Sequence, residues 1–148
     1  MEKILSKSLD DTSRIAREWL GSIEKKDSEA LVVGLSGDLG SGKTAFVKAV
    51  AAALGITESV TSPTFVIEKI YSRGPTSGSG WDRLIHIDAY RLESARELEV
   101  LNFEELVMDP NNLILIEWPE NVKEILPEGA LTVKCEFVSE TEREYEFE

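Results

Sequence analysis

The residues whose types and spacing could do chemistry are Gly37, Asp38, Leu39, Gly40, Ser41, Gly42, Lys43 and Thr44. They fill every fixed position of the phosphate-cradling pattern G-x-x-x-x-G-K-[ST]. Glycines in such a loop let the backbone curl until successive N–H groups point inward at phosphate oxygens. Lys43 would reach the β- and γ-phosphates. Thr44 would offer its hydroxyl to a magnesium ion, which takes oxygen ligands in octahedral geometry and keeps several waters. Asp38 to Thr44 are therefore the expected nucleotide-binding residues, with Lys43 also offsetting charge on a transferring phosphoryl group.

Two carboxylates are candidates for the remainder of a site. Leu113-Ile114-Leu115-Ile116 followed by Glu117 is an aliphatic run closed by an acid, the form of a Walker B strand, so Glu117 is the expected second metal ligand. Asp88 closes Arg83-Leu84-Ile85-His86-Ile87 and stands at a strand end, where ligands of parallel sheets gather. A helix-cap or turn role for Asp88 is the alternative. His86, the single histidine, reads equally as a satisfied structural residue and as a catalytic one.

The elements around these residues follow from pattern. Ala30 to Leu35 is an apolar, β-branched run that predicts the strand before the loop, and Ala45 to Leu54 predicts the helix after it, capped by Gly55. A helix beginning near Gly42 adds the positive end of its dipole to the phosphate site. Upstream, Lys3 to Ser6 reads as a short edge strand. Ser8 to Thr12 offers N-caps to a helix carrying Ile15, Trp19, Leu20 and Ile23 and reaching about Lys25.

Downstream, Ser62-Pro63-Thr64 reads either as a solvated turn or as hydroxyls that sense the γ-phosphate, and leads into a strand over Phe65 to Tyr71. Ser72 to Gly80 is a glycine/serine hairpin tip. Ala95 to Leu101 and Phe103 to Val107 read as short helices exposing Glu97, Glu99, Glu104 and Glu105. Trp118-Pro119 turns the chain, Val122 to Leu126 reads as one helical turn, and Leu131 to Val138 with Glu142 to Phe147 alternates as an antiparallel hairpin. The fold class is thus α/β: a P-loop NTPase-like, mainly parallel sheet flanked by helices, with antiparallel strands added at the edge.

At 148 residues the chain is expected to form one domain over 1–148 with a single core. Its 16 Lys+Arg against 28 Asp+Glu give a formal charge of -12, which opposes autonomous binding to a nucleic-acid backbone. One cysteine and one histidine make neither a disulfide framework nor a zinc site, which points to a reducing, cytoplasmic setting. No apolar run reaches the roughly 18–20 residues of a membrane span.

Gly37 to Thr44, Ser62-Pro63-Thr64-Phe65, His86-Ile87-Asp88-Ala89-Tyr90-Arg91-Leu92 and Ile116-Glu117-Trp118-Pro119-Glu120 together resemble the TsaE (YjeE) family, over nearly the whole chain and in the same order. The resemblance implies an ATPase needed to make threonylcarbamoyladenosine in tRNA, acting on the partner proteins TsaB and TsaD, with ATP and Mg2+ as its ligands. It implies phosphates held by Leu39 to Thr44, magnesium by Thr44 and Glu117, and Asp88 at the metal or the attacking water. Ser62 to Thr64 would be a switch-like loop, Leu9 and Thr12 would lie near the nucleotide base, and Arg143 matches a frequent family arginine. The Ser72–Gly80 stretch is this chain's own departure.

Three other readings compete. A regulatory GTPase lacks its Asn-Lys-x-Asp segment here, and a small-molecule kinase would need a lid of clamping arginines where the 72–80 stretch carries one. A nucleotide-gated binding module with negligible turnover fits the same residues, and ATP hydrolysis with and without partners separates it from an ATPase. The charge also generates a prediction. Sequence-independent RNA affinity rests on cations releasing counterions, so the isolated chain should bind tRNA weakly, and submicromolar, salt-sensitive binding in an anisotropy titration would overturn that expectation.

Overall fold

The computed structural model describes residues 2–63, 67–73 and 80–148. Seven strands, β1 (Glu2–Ser6), β2 (Leu31–Ser36), β3 (Glu68–Ser72), β4 (Arg83–Asp88), β5 (Asn112–Glu117), β6 (Leu131–Phe137) and β7 (Arg143–Phe147), lie in one sheet ordered β1-β7-β6-β2-β5-β4-β3. The pairs β6–β2, β2–β5 and β5–β4 are parallel, while β1–β7, β7–β6 and β4–β3 are antiparallel. This is the expected P-loop-type α/β sheet, parallel at its centre with antiparallel strands added at its edges. The parallel pairing of β6 onto β2, which joins the closing hairpin to the centre, was not among the expectations.

Among the described residues four α-helices accompany the sheet: α1 (Leu9–Ser22), α2 (Lys43–Leu54), α3 (Arg96–Glu99) and α4 (Phe103–Val107). Ser8 caps α1 by accepting a hydrogen bond from the Asp11 amide at 3.0 Å, and Asp10 and Asp11 in the first turn complement the dipole. α1 stops at Ser22, short of the expected Lys25, where Ser22 Oγ donates to the Trp19 carbonyl at 2.7 Å and Ile23 turns extended. α2 ends as expected at Gly55, whose left-handed φ of 88° lets its amide reach the carbonyls of Ala51 and Ala52.

Further boundaries differ from the sequence reading. β3 begins at Glu68 rather than Phe65 because Ile67 is left-handed, with φ 70°, a conformation that interrupts extended backbone. Residues 64–66, with Thr64 of the switch-like loop, and residues 74–79 of the glycine/serine stretch lie outside the described residues. Between 95 and 107 the helical segments are only Arg96–Glu99 and Phe103–Val107, parted by left-handed Asn102 at φ 60°.

Strand alternation sorts two apolar layers. Leu31, Val33, Leu35, Leu84, Leu113 and Leu115 face α1 and α2, where Ile15, Trp19, Phe46, Val47 and Val50 complete one cluster. Val32, Ile85, Ile87, Ile114 and Ile116 face the other side and bury Leu98, Phe103 and Val122. Because side chains alternate with period two, the first face also receives His86, Asp88 and Glu117, the polar residues that follow Leu84 and Leu115 in step. Among the described residues no helix is long and apolar enough to cross a membrane.

Phe46 is the hub of the first layer, fully buried, with its ring 5.3 Å from those of Trp19 and Tyr145 and 6.0 Å from Phe147. Truncating it should leave a cavity between α2, α1 and β7. Phe46→Ala is expected to lower unfolding free energy by about 3–5 kcal/mol, read as a shift in the urea midpoint. Cys135 is buried on the same side of β6, and burial, with the nearby Glu117 carboxylate adding to it against the pull of Lys43, pushes its thiol pKa up to about 12. Thiolate is the reactive form. At pH 8 the native chain should therefore resist iodoacetamide, and denaturant should release the reaction; native alkylation at the rate of a free thiol would contradict this burial.

Candidate functional site

The phosphate loop, residues 37–42, joins β2 to α2 at the C-terminal edge of the sheet. Two of its glycines have structural reasons to be glycine. Gly37 has φ 142°, and a Cβ there would strike the Cys135 carbonyl and lie 2.6 Å from Ser41 Oγ. Gly42 has φ 101°, and a Cβ would sit 2.8 Å from the Tyr145 hydroxyl. The loop is thus seated on β6 and β7, with Tyr145 donating to the Gly42 carbonyl at 3.2 Å. Burial pushes the Tyr145 hydroxyl pKa up to about 12, so it remains a donor at neutral pH.

Lys43 is 5 % exposed, so its ammonium must be satisfied internally. Nζ donates to the Gly37 carbonyl and, at 3.0 Å, to that of Asp38, and stands 4.2 Å from the centroid of the Trp118 ring. Trp118 presents that ring from a left-handed backbone, φ 60°, an uncommon conformation for a bulky residue and one that clusters at functional sites. Its amide donates to the Leu35 carbonyl at 3.2 Å, and Tyr90 packs on its indole at 5.1 Å.

Below the lysine, Thr44 Oγ1 lies 3.2 Å from Glu117 Oε2, 73 residues later in the chain. Register explains the meeting: β2 and β5 run parallel with Leu35 opposite Glu117, and α2 brings Thr44 back over the same strand ends. Asp88 stands opposite Glu117 on β4. Its Oδ1 accepts the Tyr90 amide at 2.9 Å, so the turn role foreseen as the alternative is present in the same residue that faces the cleft. His86 Nε2 lies 2.6 Å from Glu117 Oε2, and its ring is wholly buried. Sequence reasoning left this histidine undecided, since only the strand register shows which acid it meets.

These groups line an open cleft of about 340 Å³ formed by residues 39–45 with Ser62, Asp88, Tyr90, Glu117, Trp118 and Arg143. A second groove of about 460 Å³, lined by Leu9, Thr12, Gly42, Ala45, Arg143 and Tyr145 among others, shares its Gly42, Ala45 and Arg143 wall. Thr12 forms part of that groove with its hydroxyl already engaged, 2.7 Å from Ser6 Oγ. Arg143 stands where cleft and groove join, its guanidinium donating to the Glu142 carbonyl at 2.9 Å and stacked over Phe137. Asp38 is exposed on the loop and takes part through its backbone carbonyl.

The arrangement fits a nucleotide triphosphate and magnesium. Ser41 Oγ is buried without a partner among the described residues, as an unused donor of a phosphate loop would be. No described cluster of three or more His, Cys, Asp or Glu side chains could hold a metal alone. Magnesium asks for less, one or two protein oxygens plus phosphates and waters, and Thr44 with Glu117 could supply those oxygens.

Comparison with known proteins agrees with this geometry. Residues 6–145 match the family model described as threonylcarbamoyl adenosine biosynthesis protein TsaE. The tRNA threonylcarbamoyladenosine biosynthesis protein TsaE of Treponema pallidum is 35% identical over 142 residues, spanning 96% of each chain. The protein of the same name from Bacillus subtilis is 40% identical over 116 residues, 78% of this chain and 68% of the relative. The crystal structure of YdiB from Bacillus subtilis is similar with a TM-score of 0.74 at 30% identity, covering 99% of this chain and 83% of that one. A phosphate loop with its lysine and threonine, an acid at the end of the adjacent parallel strand, and these matches lead to one assignment: the chain belongs to the TsaE family, the proteins of threonylcarbamoyl adenosine biosynthesis.

Proposed function

We propose that this chain binds ATP with magnesium, hydrolyses it, and by doing so drives a TsaB–TsaD partner complex that modifies tRNA in the cytoplasm. The observation that carries the reading is the approach of Thr44 Oγ1 to Glu117 at 3.2 Å directly beneath the phosphate loop. Amides from Leu39 to Thr44 would take the phosphates, assisted by the positive end of α2. Lys43 would exchange its two carbonyl partners for β- and γ-phosphate oxygens, a swap between acceptors within reach of the same side chain. Magnesium held by Thr44 and Glu117 would neutralise charge on those oxygens. Asp88, across from Glu117, would orient the water that attacks in line with the leaving oxygen. The base would extend along the groove at Leu9, Thr12 and Arg143.

Docking on partners is the way a strongly acidic chain can serve an RNA-modifying reaction. Leu39 at 70% and Tyr90 at 46% exposure border the cleft mouth, which supports contacts at the nucleotide edge through Ser62, Pro63, Thr64 and the segment from Tyr90 to Leu106. Turnover of the isolated chain should be slow and rise on adding TsaB and TsaD. Turnover unchanged by the partners would contradict the proposed coupling.

Two variants test the roles. Lys43→Ala removes a charge-assisted contact worth about 1.5–3 kcal/mol, so hydrolysis should vanish and ATP affinity should fall by about one to two orders of magnitude; undiminished turnover would sink the phosphate-loop assignment. Glu117→Ala should cost magnesium-dependent turnover far more than nucleotide affinity, because the amide cradle remains. Equal loss of both, in parallel titrations of ATP and of magnesium, would assign Glu117 to the fold instead.

A further inference from the structure

We infer that His86 is a positioning residue for Glu117: its Nε2–H fixes one carboxylate oxygen, Oε2, beside Thr44 and leaves the other for the metal. The inference rests on the proposed role of Glu117 as a magnesium ligand and adds to it the group that holds that ligand in place.

The geometry points this way from both sides of the bond. His86 Nε2 lies 2.6 Å from Glu117 Oε2, and Thr44 Oγ1 lies 3.2 Å from the same oxygen and 3.5 Å from Oε1. Oε2 thus carries the close contact to a buried ring, while Oε1 keeps its lone pairs for the cleft. The imidazole is rigidly mounted. It is 0% exposed on β4, between β5 and β3, opposite Leu115, and reaches diagonally to the acid two residues on.

The tautomer follows from the partners. His86 Nδ1 is buried and has no hydrogen-bond partner among the described residues. A proton on Nδ1 would leave a buried donor unused and turn the Nε2 lone pair toward a carboxylate oxygen at hydrogen-bond distance. The assigned form therefore carries its proton on Nε2 and donates to Glu117. A glutamate side chain has several rotatable bonds, and an outer partner that removes this freedom raises metal affinity. Loss of such partners typically costs about 10–100-fold in metal binding or activity.

The test is a Mn2+ titration followed by electron paramagnetic resonance, with the full chain and the non-hydrolysable β,γ-imido analogue of ATP. Variants are His86→Phe, which removes the donor; His86→Gln, whose amide nitrogen reaches about as far as Nε2; and Glu117→Gln. Affinity for the analogue without metal is measured alongside each. His86→Phe should weaken Mn2+ binding about tenfold or more, leave metal-free analogue affinity within about twofold, and be largely rescued in His86→Gln. The inference is overturned if His86→Phe keeps wild-type Mn2+ affinity while Glu117→Gln loses it. It is also overturned if His86→Gln and His86→Phe lose it equally, since a donor would then not matter. A purely packing role would lower metal-free analogue affinity and thermal stability together with Mn2+ binding, and would overturn it too. Should His86→Phe fail to fold, His86→Gln against His86→Leu gives the same comparison. Wild-type Mn2+ affinity in Glu117→Gln would instead refute the underlying ligand role of Glu117, a result distinct from the others.

Discussion

The parallel register of β2 with β5 is the constraint on which the rest depends. It aligns Leu31 with Leu113 and, four residues further, Leu35 with Glu117, so the strand that delivers the phosphate loop ends level with the strand that delivers the acid. A one-residue slip would send the whole alternating set to the opposite face, putting Glu117 among Ile85, Ile87 and Phe103 and Ile116 beside Thr44. That slip is resisted by the apolar layers on both faces, each made of buried, largely aliphatic side chains. The packing that stabilises the sheet and the geometry that assembles the cleft are thus one and the same specification.

Burying charge at this junction is costly unless every charge has partners. Lys43, Glu117 and Asp88 are each 5 % exposed or less, and each has found them: backbone carbonyls and an indole face for the ammonium, a hydroxyl and an imidazole for Glu117, a turn amide for Asp88. These partners hold the groups in place before any ligand arrives.

The loop and its two flanks were legible in the sequence because glycine spacing, a β-branched run and an alanine-rich helix former are local signals. Glu117 was legible for a similar reason, as the polar end of an aliphatic strand. The meeting of His86 with Glu117 was not, since it depends on β4 lying beside β5 with a particular offset and no local pattern encodes that. Ile67 and Asn102 were missed as element breakers because side-chain type rarely foretells a left-handed β-branched residue or which asparagine adopts that conformation. The hairpin of β6 and β7 was read from alternation, yet its pairing with β2 and its role as the seat of the phosphate loop came only from tertiary structure. Cys135 and Tyr145, read as ordinary strand residues, turn out to underlie Gly37 and Gly42.

That seat has a consequence for the order in which the molecule can be built. The glycine loop is translated early, while the strand bearing Tyr145 follows about a hundred residues later, several seconds of synthesis at about 5–20 residues per second. Until β7 has left the ribosome and closed on β6, the loop has neither the Cys135 carbonyl beneath Gly37 nor the Tyr145 hydroxyl at Gly42. A nascent chain therefore holds the phosphate-binding sequence without the surface that shapes it. A ligand of this loop would stabilise the finished sheet and not its precursor, since mass action favours whichever state has the site; it would lock folding late and not template it.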